Sequence, residues 1–196
     1  MTERWTVAPL REPPAGGDRW VVRFGGSLLT RPGWPEDLLG LVGSLNGAVT
    51  VVVGGGPVVE GLRLVDAAQP LPAHVMHALA IEAMGVTARL AAAATGLEVS
   101  GTASPTPGAT ILDVPRWWAT SPLGSRLPAG WEVTSDSIAA TVALETAATL
   151  VLAKRVPPPM PDLVDLAACG WADAYFPTAA AGLVGILWAA PRTGAD

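Results

Sequence analysis

A chain of 196 residues, half of them hydrophobic and 15% charged, suits one ordinary domain with a sizeable core and excludes chain-wide disorder. Its formal charge of -5 argues against a nucleic-acid surface, and no uninterrupted apolar run reaches the ~20 residues of a membrane span or opens the chain as a signal peptide. The single cysteine, Cys169, excludes an internal disulfide and fits a reducing cytoplasm, and Lys154 is the only lysine among the 12 Lys and Arg residues.

Residues 1–19, rich in Pro, Gly and charge, show no period and read as an extended arm or mobile tail, with Trp5 available as an anchor. From Trp20 the pattern is regular. The apolar run 20–24 predicts a strand ending in Gly25-Gly26-Ser27, and 35–45 predicts a helix. A second buried strand over 49–53 runs into Gly54-Gly55-Gly56, and Pro57 suits the first turn of a helix over 57–68. Strand, glycine turn and helix, twice over, indicate a parallel α/β sheet. A long helix over 72–94, closed by Gly96, places His74, His77, Ile81 and Met84 on one face. Between 95 and 130 regularity fails around a short strand (109–113) and the pair Trp117-Trp118, and this stretch reads as a substrate-side excursion. Thr134 or Ser135 can cap a helix beginning near Asp136 and ending near 147. A buried strand over 149–153 carries Lys154 at its C-terminal end; Pro157–Pro161 is a rigid linker, before a short helix (162–169) and a last strand (183–189).

Two glycine turns, each after a buried strand, can aim backbone N–H groups at an anion, aided by the helix N-termini behind them. Alternatively they are only tight turns. Neither has dinucleotide-fingerprint or P-loop spacing. Arg23, two residues before Gly25, is either a cation for a transferred phosphoryl group or a strand-end partner of a carboxylate. Thr134-Ser135-Asp136 is either a cap box or a site in which the hydroxyls bind phosphate and Asp136 orients a cation. His74 and His77 lack a third ligand, so no protein metal site is expected, and Cys169 has no base beside it.

The segments VVRFGGSLL, VVVGGGPVVEGLR, AHVMHALAIEAM and WEVTSDSIAATVA, in this order and spacing, resemble the amino acid kinase (aspartate/glutamate/uridylate kinase) superfamily. WEVTSDSIAA and DLAACGWADAYFP are most similar to the branch that phosphorylates (5-aminomethyl-furan-3-yl)methyl phosphate in methanofuran-type cofactor assembly. The resemblance implies a three-layer αβα sandwich on a mainly parallel sheet, formed by residues 20–196 as one domain with a shortened nucleotide-side half. It implies that Gly25, Gly26 and Ser27, with Thr134 and Ser135, handle phosphate or nucleotide. Gly54, Gly55 and Gly56, with His74, would face the acceptor, and Arg23, Asp136 and Lys154 would be catalytic.

The departures from the family pattern are specific. Arg23 stands where the family has lysine, Gly85 stands where an aspartate is usual, and Lys154 leads into PPPMP rather than a G-G-M-x-x-K stretch. Arginine keeps the charge but changes geometry and hydration. The expected protein is a cytoplasmic kinase using ATP and Mg2+ on a phosphate or carboxylate acceptor, homo-oligomeric through helix 72–94. The alternative is a kinase-fold binding or regulatory subunit, or a chain whose nucleotide half a partner subunit completes. Valine at Gly26 or Gly55 is expected to abolish ligand binding while sparing the fold.

Overall fold

Seven strands form one sheet in the computed structural model, which describes residues 4–103 and 106–192. In chain order they are β1 (Trp5–Arg11), β2 (Arg19–Phe24), β3 (Ala48–Val53), β4 (Glu98–Ser100), β5 (Gly108–Leu112), β6 (Thr149–Ala153) and β7 (Ile186–Pro191). Their order in space is β1-β7-β6-β2-β3-β5-β4, parallel throughout except for β1 against β7. The helices are α1 (Trp34–Gly43), α2 (Gly56–Ala68), α3 (Ala73–Thr95), α4 (Val114–Thr120), α5 (Ser135–Thr146), α6 (Leu163–Ala168) and α7 (Phe176–Ala179). From β2 the chain passes outward to β3, then to the edge strand β4 and back to β5 between them, and returns to lay β6 and β7 on the other side of β2. The carboxyl ends of β2 and β6 therefore flank a topological switch point, where open α/β sheets bind ligands.

β3 and β6 are buried at every position, as central parallel strands covered on both faces must be. Strand alternation sorts side chains into two cores. Val21, Val52, Leu150 and Leu152 pack with Ile138, Val142 and Phe176 on one face. Val22, Phe24, Val51, Val53 and Val151 pack with Leu38 and Leu41 on the other. The three-layer αβα sandwich and the mainly parallel sheet are both present.

The N-terminal arm is a correction. Residues 5–11 are the sheet's edge strand, antiparallel to β7. Trp5 is 1% exposed, meets Phe24 edge-on at 6.4 Å between ring centres, and donates its indole N–H to the Asp37 carbonyl at 3.0 Å. Pro9 disguises the strand: lacking an N–H, proline is tolerated at a sheet edge, and here the register shifts between Pro9 and Arg11.

α3 meets the length and composition of a bilayer span, although the sequence shows no unbroken apolar run. Half of that stretch is buried within the protein, with Met76, Ile81, Met84, Ala88 and Ala91 turned inward. Residues 95–130, described except for 104 and 105, supply the far edge of the sheet (β4, β5) and α4. Glu145 of α5 ties this stretch down, accepting from the Trp117 indole N–H at 2.8 Å, the Ser121 hydroxyl and the Leu123 amide.

Candidate active site

The same alternation that buries Val21 aims Arg23 at the α5 face, and the one that buries Leu150 and Leu152 aims Lys154 there. The first turn of α5 lies over both. Asp136 bridges the two cations: Arg23 Nε lies 2.8 Å from Oδ1, and Lys154 Nζ lies 2.8 Å from Oδ2. The Arg23 Nε hydrogen is donated to Ser135 Oγ at 3.1 Å, so its contact with Asp136 Oδ1 is an ion pair, and the Asp173 backbone N–H donates to Asp136 Oδ2 at 3.3 Å. All three charged side chains are largely buried. Burial raises the Asp136 carboxyl pKa, but the Arg23 and Lys154 charges outweigh it and hold the group below the usual carboxylate range. Lys154 is pushed down to about 8, by burial above all, against the opposing pull of Asp136. Its ammonium also donates to the Trp171 carbonyl and lies 4.4 Å from the Trp171 ring centre.

Neither Thr134 nor Ser135 caps α5 with its side chain. Thr134 is the N-cap residue by position, but the capping carboxylate comes from Asp173. Asp173 accepts from Thr134 N at 2.9 Å, Thr134 Oγ1 at 2.8 Å, Ser137 N at 3.0 Å and the Ser137 hydroxyl. A local cap box cannot be told by sequence from a helix start that recruits a distant carboxylate. Asp173 is therefore a residue that the sequence reading missed.

The glycine turns meet at the carboxyl edge. Gly25 N donates to Ala153 O and Gly54 N to Phe24 O, both at 2.9 Å, which continues the sheet into the turns. The two loops pack backbone on backbone. A Cβ on Gly26 would stand 2.2 Å from Gly56 N, and one on Gly54 would stand 2.7 Å from Gly26 N. Gly56 has φ +50°, the left-handed region. Valine at Gly26 would thus force the loops apart rather than merely block a ligand, which corrects the expectation that the fold would be spared. At Gly55 a Cβ would collide with the Val59 side chain, 2.1 Å away.

Beside these loops lies a cleft of about 510 Å3. Its polar end has Arg23, Ser27, Thr30, Thr134, Ser135 and the backbone of Gly26 and Gly54–Gly56. Its other walls are Ile81, Met84, Val133 and Ile138, with His77, Trp131 and Arg63, whose guanidinium stacks 4.3 Å from the Trp131 ring centre. Arg23 reaches this cleft. Asp136 and Lys154 do not line it, and Gly25 lies behind it, with a Cβ there only 2.6 Å from Arg23 Nη1.

Two further expectations are corrected. His74, in the first turn of α3, is exposed and does not line the cleft; His77, one turn later, does. Residues 70–74 are all exposed, so nothing encloses that end of the helix. No described residue of 95–130 lines the cleft either, because that stretch packs as sheet edge and helix elsewhere; the neighbouring Trp131, Val133 and Thr134 do line it.

This site can hold and neutralise a phosphoryl group: a cation, hydroxyls and glycine backbone converge at a dipole-rich sheet edge. The residues therefore fit phosphate. No cluster of three His, Cys, Asp or Glu side chains that could hold a metal occurs among the described residues.

Comparison with protein-family models and with curated proteins returns no match. Solved structures do match. The uridylate kinase from Archaeoglobus fulgidus superposes with a TM-score of 0.58 at 14% identity, over 87% of this chain and 99% of that one. The UMP kinase from Ureaplasma parvum gives 0.55 at 16% identity, over 84% of each chain. The fold is that of the amino acid kinases. Both neighbours are members of that superfamily, and at this identity the likeness establishes the architecture alone.

Proposed function

We propose that this protein is a small-molecule phosphotransferase that moves the γ-phosphoryl of ATP to a phosphate or carboxylate acceptor seated in the cleft. The observation that carries this reading is Arg23. It is the charged end of a buried Arg23–Asp136–Lys154 array, and it alone of the three opens onto a glycine-walled cleft. When bound, Mg-ATP supplies the phosphoryl group and the metal's neutralising charge; the site's hard oxygen chemistry suits magnesium held chiefly through phosphate oxygens. Asp136 fixes Arg23 in place, Arg23 offsets charge that develops during transfer, and Ser135 limits the rotation of the guanidinium. The finer reading is an acceptor such as (5-aminomethyl-furan-3-yl)methyl phosphate, supported by the resemblance of WEVTSDSIAA and DLAACGWADAYFP.

The test follows ATP consumption and product by 31P NMR with that acceptor and with other small phosphates and carboxylates. Arg23→Ala is expected to lower turnover by ~10²–10³ with little change in ATP affinity, as loss of one preorganised charge-stabilising donor does. Arg23→Lys is expected to retain part of the activity. Absence of transfer to every acceptor overturns the reading.

A second reading, a kinase-fold binding subunit, is favoured by one observation: Lys154 lies covered by the Trp171 ring and carbonyl rather than open to a nucleotide. ATP with Mg2+ then gives no thermal stabilisation, whereas an ATP-binding enzyme is stabilised by mass action. A homo-oligomer through α3 belongs to the kinase reading. The stripe of His74, His77, Ile81 and Met84 expected to carry it does not, because His77, Ile81 and Met84 are buried within this chain; the support comes instead from Leu79, Val86 and Leu90 exposed along α3, with Leu64 and Val65 exposed on the adjoining α2. Sedimentation that shows only a 20.0 kDa species removes it.

A further inference from the structure

His77 enters the cleft from α3 with one ring nitrogen partnered and the other not. Nδ1 lies 3.2 Å from the Gly130 carbonyl. A carbonyl only accepts, so Nδ1 carries the hydrogen, and in the neutral ring Nε2 is a bare lone pair. Nε2 is buried and has no hydrogen-bond partner among the described residues. The ring cannot swing away easily, since Trp118 packs against it at 5.1 Å between centroids. A buried acceptor without a donor is costly, and natural proteins rarely leave one unless something binds there. The cleft walls Ile81, Met84, Val133 and Ile138 are apolar; of the two donors among the other walls, the Trp131 indole N–H goes to Asp66 Oδ2 at 2.8 Å and the Arg63 guanidinium stacks on the Trp131 ring, 4.3 Å from its centre.

The position of His77 along α3 adds a length. A Cβ on Gly55 would stand 3.7 Å from Met84 Cγ, so Met84, midway along α3, marks the level of the helix that faces the glycine loops. His77 lies two turns back, about 10 Å away at ~1.5 Å per residue. That separation matches a ring-sized body between two polar ends.

We propose that His77 is a specificity-determining residue, whose Nε2 accepts a hydrogen bond from a hydroxyl or N–H at the end of the acceptor remote from its phosphate. The acceptor class is then a phosphate ester with an apolar, ring-sized body and a donor at its far end. This rests on the reading of the cleft as an acceptor site, but it is tested by binding alone, without ATP or turnover. If transfer fails and the discrimination below is seen, only the kinase reading falls.

The probes are 3- and 4-(hydroxymethyl)benzyl phosphate against the corresponding methylbenzyl phosphates, measured by calorimetry on the full chain. Wild type is expected to bind at least one hydroxymethyl probe about tenfold or more tightly than its methyl partner. His77→Asn, whose amide N–H can still reach Gly130 while the Nε2 acceptor is gone, should lose that preference and bind the methyl probes unchanged. His77→Gln, which places an amide oxygen near the Nε2 position, should recover part of it. The 15N resonance of Nε2 gives a second readout on wild type. It should report an unprotonated nitrogen in the free protein and shift with the hydroxymethyl probe but not with its methyl partner. Equal affinities in wild type, failure of every probe to bind, or an Nε2 that carries the proton would each overturn the proposal.

Discussion

Gly26 and Gly56 lie backbone against backbone, so that the first glycine turn is the floor on which the second one rests. The contact leaves no room for a Cβ on either side: one on Gly56 would stand 2.5 Å from Gly26 O, and Gly56 itself is left-handed at φ +50°. The turns are therefore structural and functional at once, because they bring β2 and β3 to the same edge while leaving backbone facing the cleft.

The first prediction follows from that contact. Gly26→Ala should destabilise the protein by roughly 1–3 kcal/mol, the usual cost of overpacking, because the obstacle is backbone that cannot rotate aside. Gly61→Ala is the contrast. A Cβ at Gly61, in the middle of α2, would meet nothing within 4 Å, and alanine there should stabilise by about 0.5–1 kcal/mol. Urea unfolding of the two variants checks both signs, and a Gly26→Ala protein as stable as wild type would show that the loops yield.

Much of the site was legible because it follows from strand parity. Val21 and Arg23 share a face, as do Leu150, Leu152 and Lys154, so two buried parallel strands ending in cations already place both charges under whatever helix covers that face. Asp136 in the first turn of α5, the helix that leads into β6, completes the array. What was not legible depended on distant partners. Asp173 reaches α5 across 36 residues of sequence, and no local pattern distinguishes it from any other aspartate in a loop. His74 and His77 looked alike on the helix; only the enclosure of the cleft separates them.

The cap gives the second prediction. One Asp173 carboxylate satisfies two backbone N–H groups and two hydroxyls at the start of α5, and its own backbone N–H reaches Asp136. Asp173→Ala should cost about 1–2 kcal/mol in stability, the upper part of the range for a lost N-cap. The loss should also loosen the turn that carries Ser135 and Asp136. Phosphotransfer should fall in parallel with the protection of the α5 amides from hydrogen exchange. An Asp173→Ala protein with unaltered exchange at Ser137 would exclude this role.

β1 gives the third. Trp5 fills the core beside Phe24 although it lies in a stretch without periodicity. Trp5→Ala should cost roughly 3–5 kcal/mol, the range for emptying a buried aromatic site. For a domain of this size that lowers Tm by on the order of 10 °C. A variant that melts with wild type would restore residues 5–11 to the status of an arm.

Lys154 gives the last prediction, and being the only lysine it can be followed by a single side-chain NMR signal in lysine-labelled protein. Its ammonium should titrate near pH 8 rather than at the ordinary 10.5, because burial disfavours the charge more than Asp136 supports it. Two variants separate these causes. Trp171→Ala removes the covering ring and should move the titration up towards 10.5. Asp136→Asn removes the supporting carboxylate and should move it below 8. The same shift sets the stability profile. Between about 8 and 10.5 the unfolded chain holds the Lys154 proton more firmly than the folded one, so this group makes stability rise with pH across that window. Asp136 acts at the other extreme: its folded pKa lies below the ordinary 3.8, so its contribution is present above that pH and is lost on acidification. If transfer depends on the Lys154 charge, its rate should fall as pH rises through about 8 in wild type, and at higher pH in Trp171→Ala. A pH profile that stays put while the Lys154 resonance moves would assign Lys154 to holding Asp136 in place and leave the charge chemistry to Arg23.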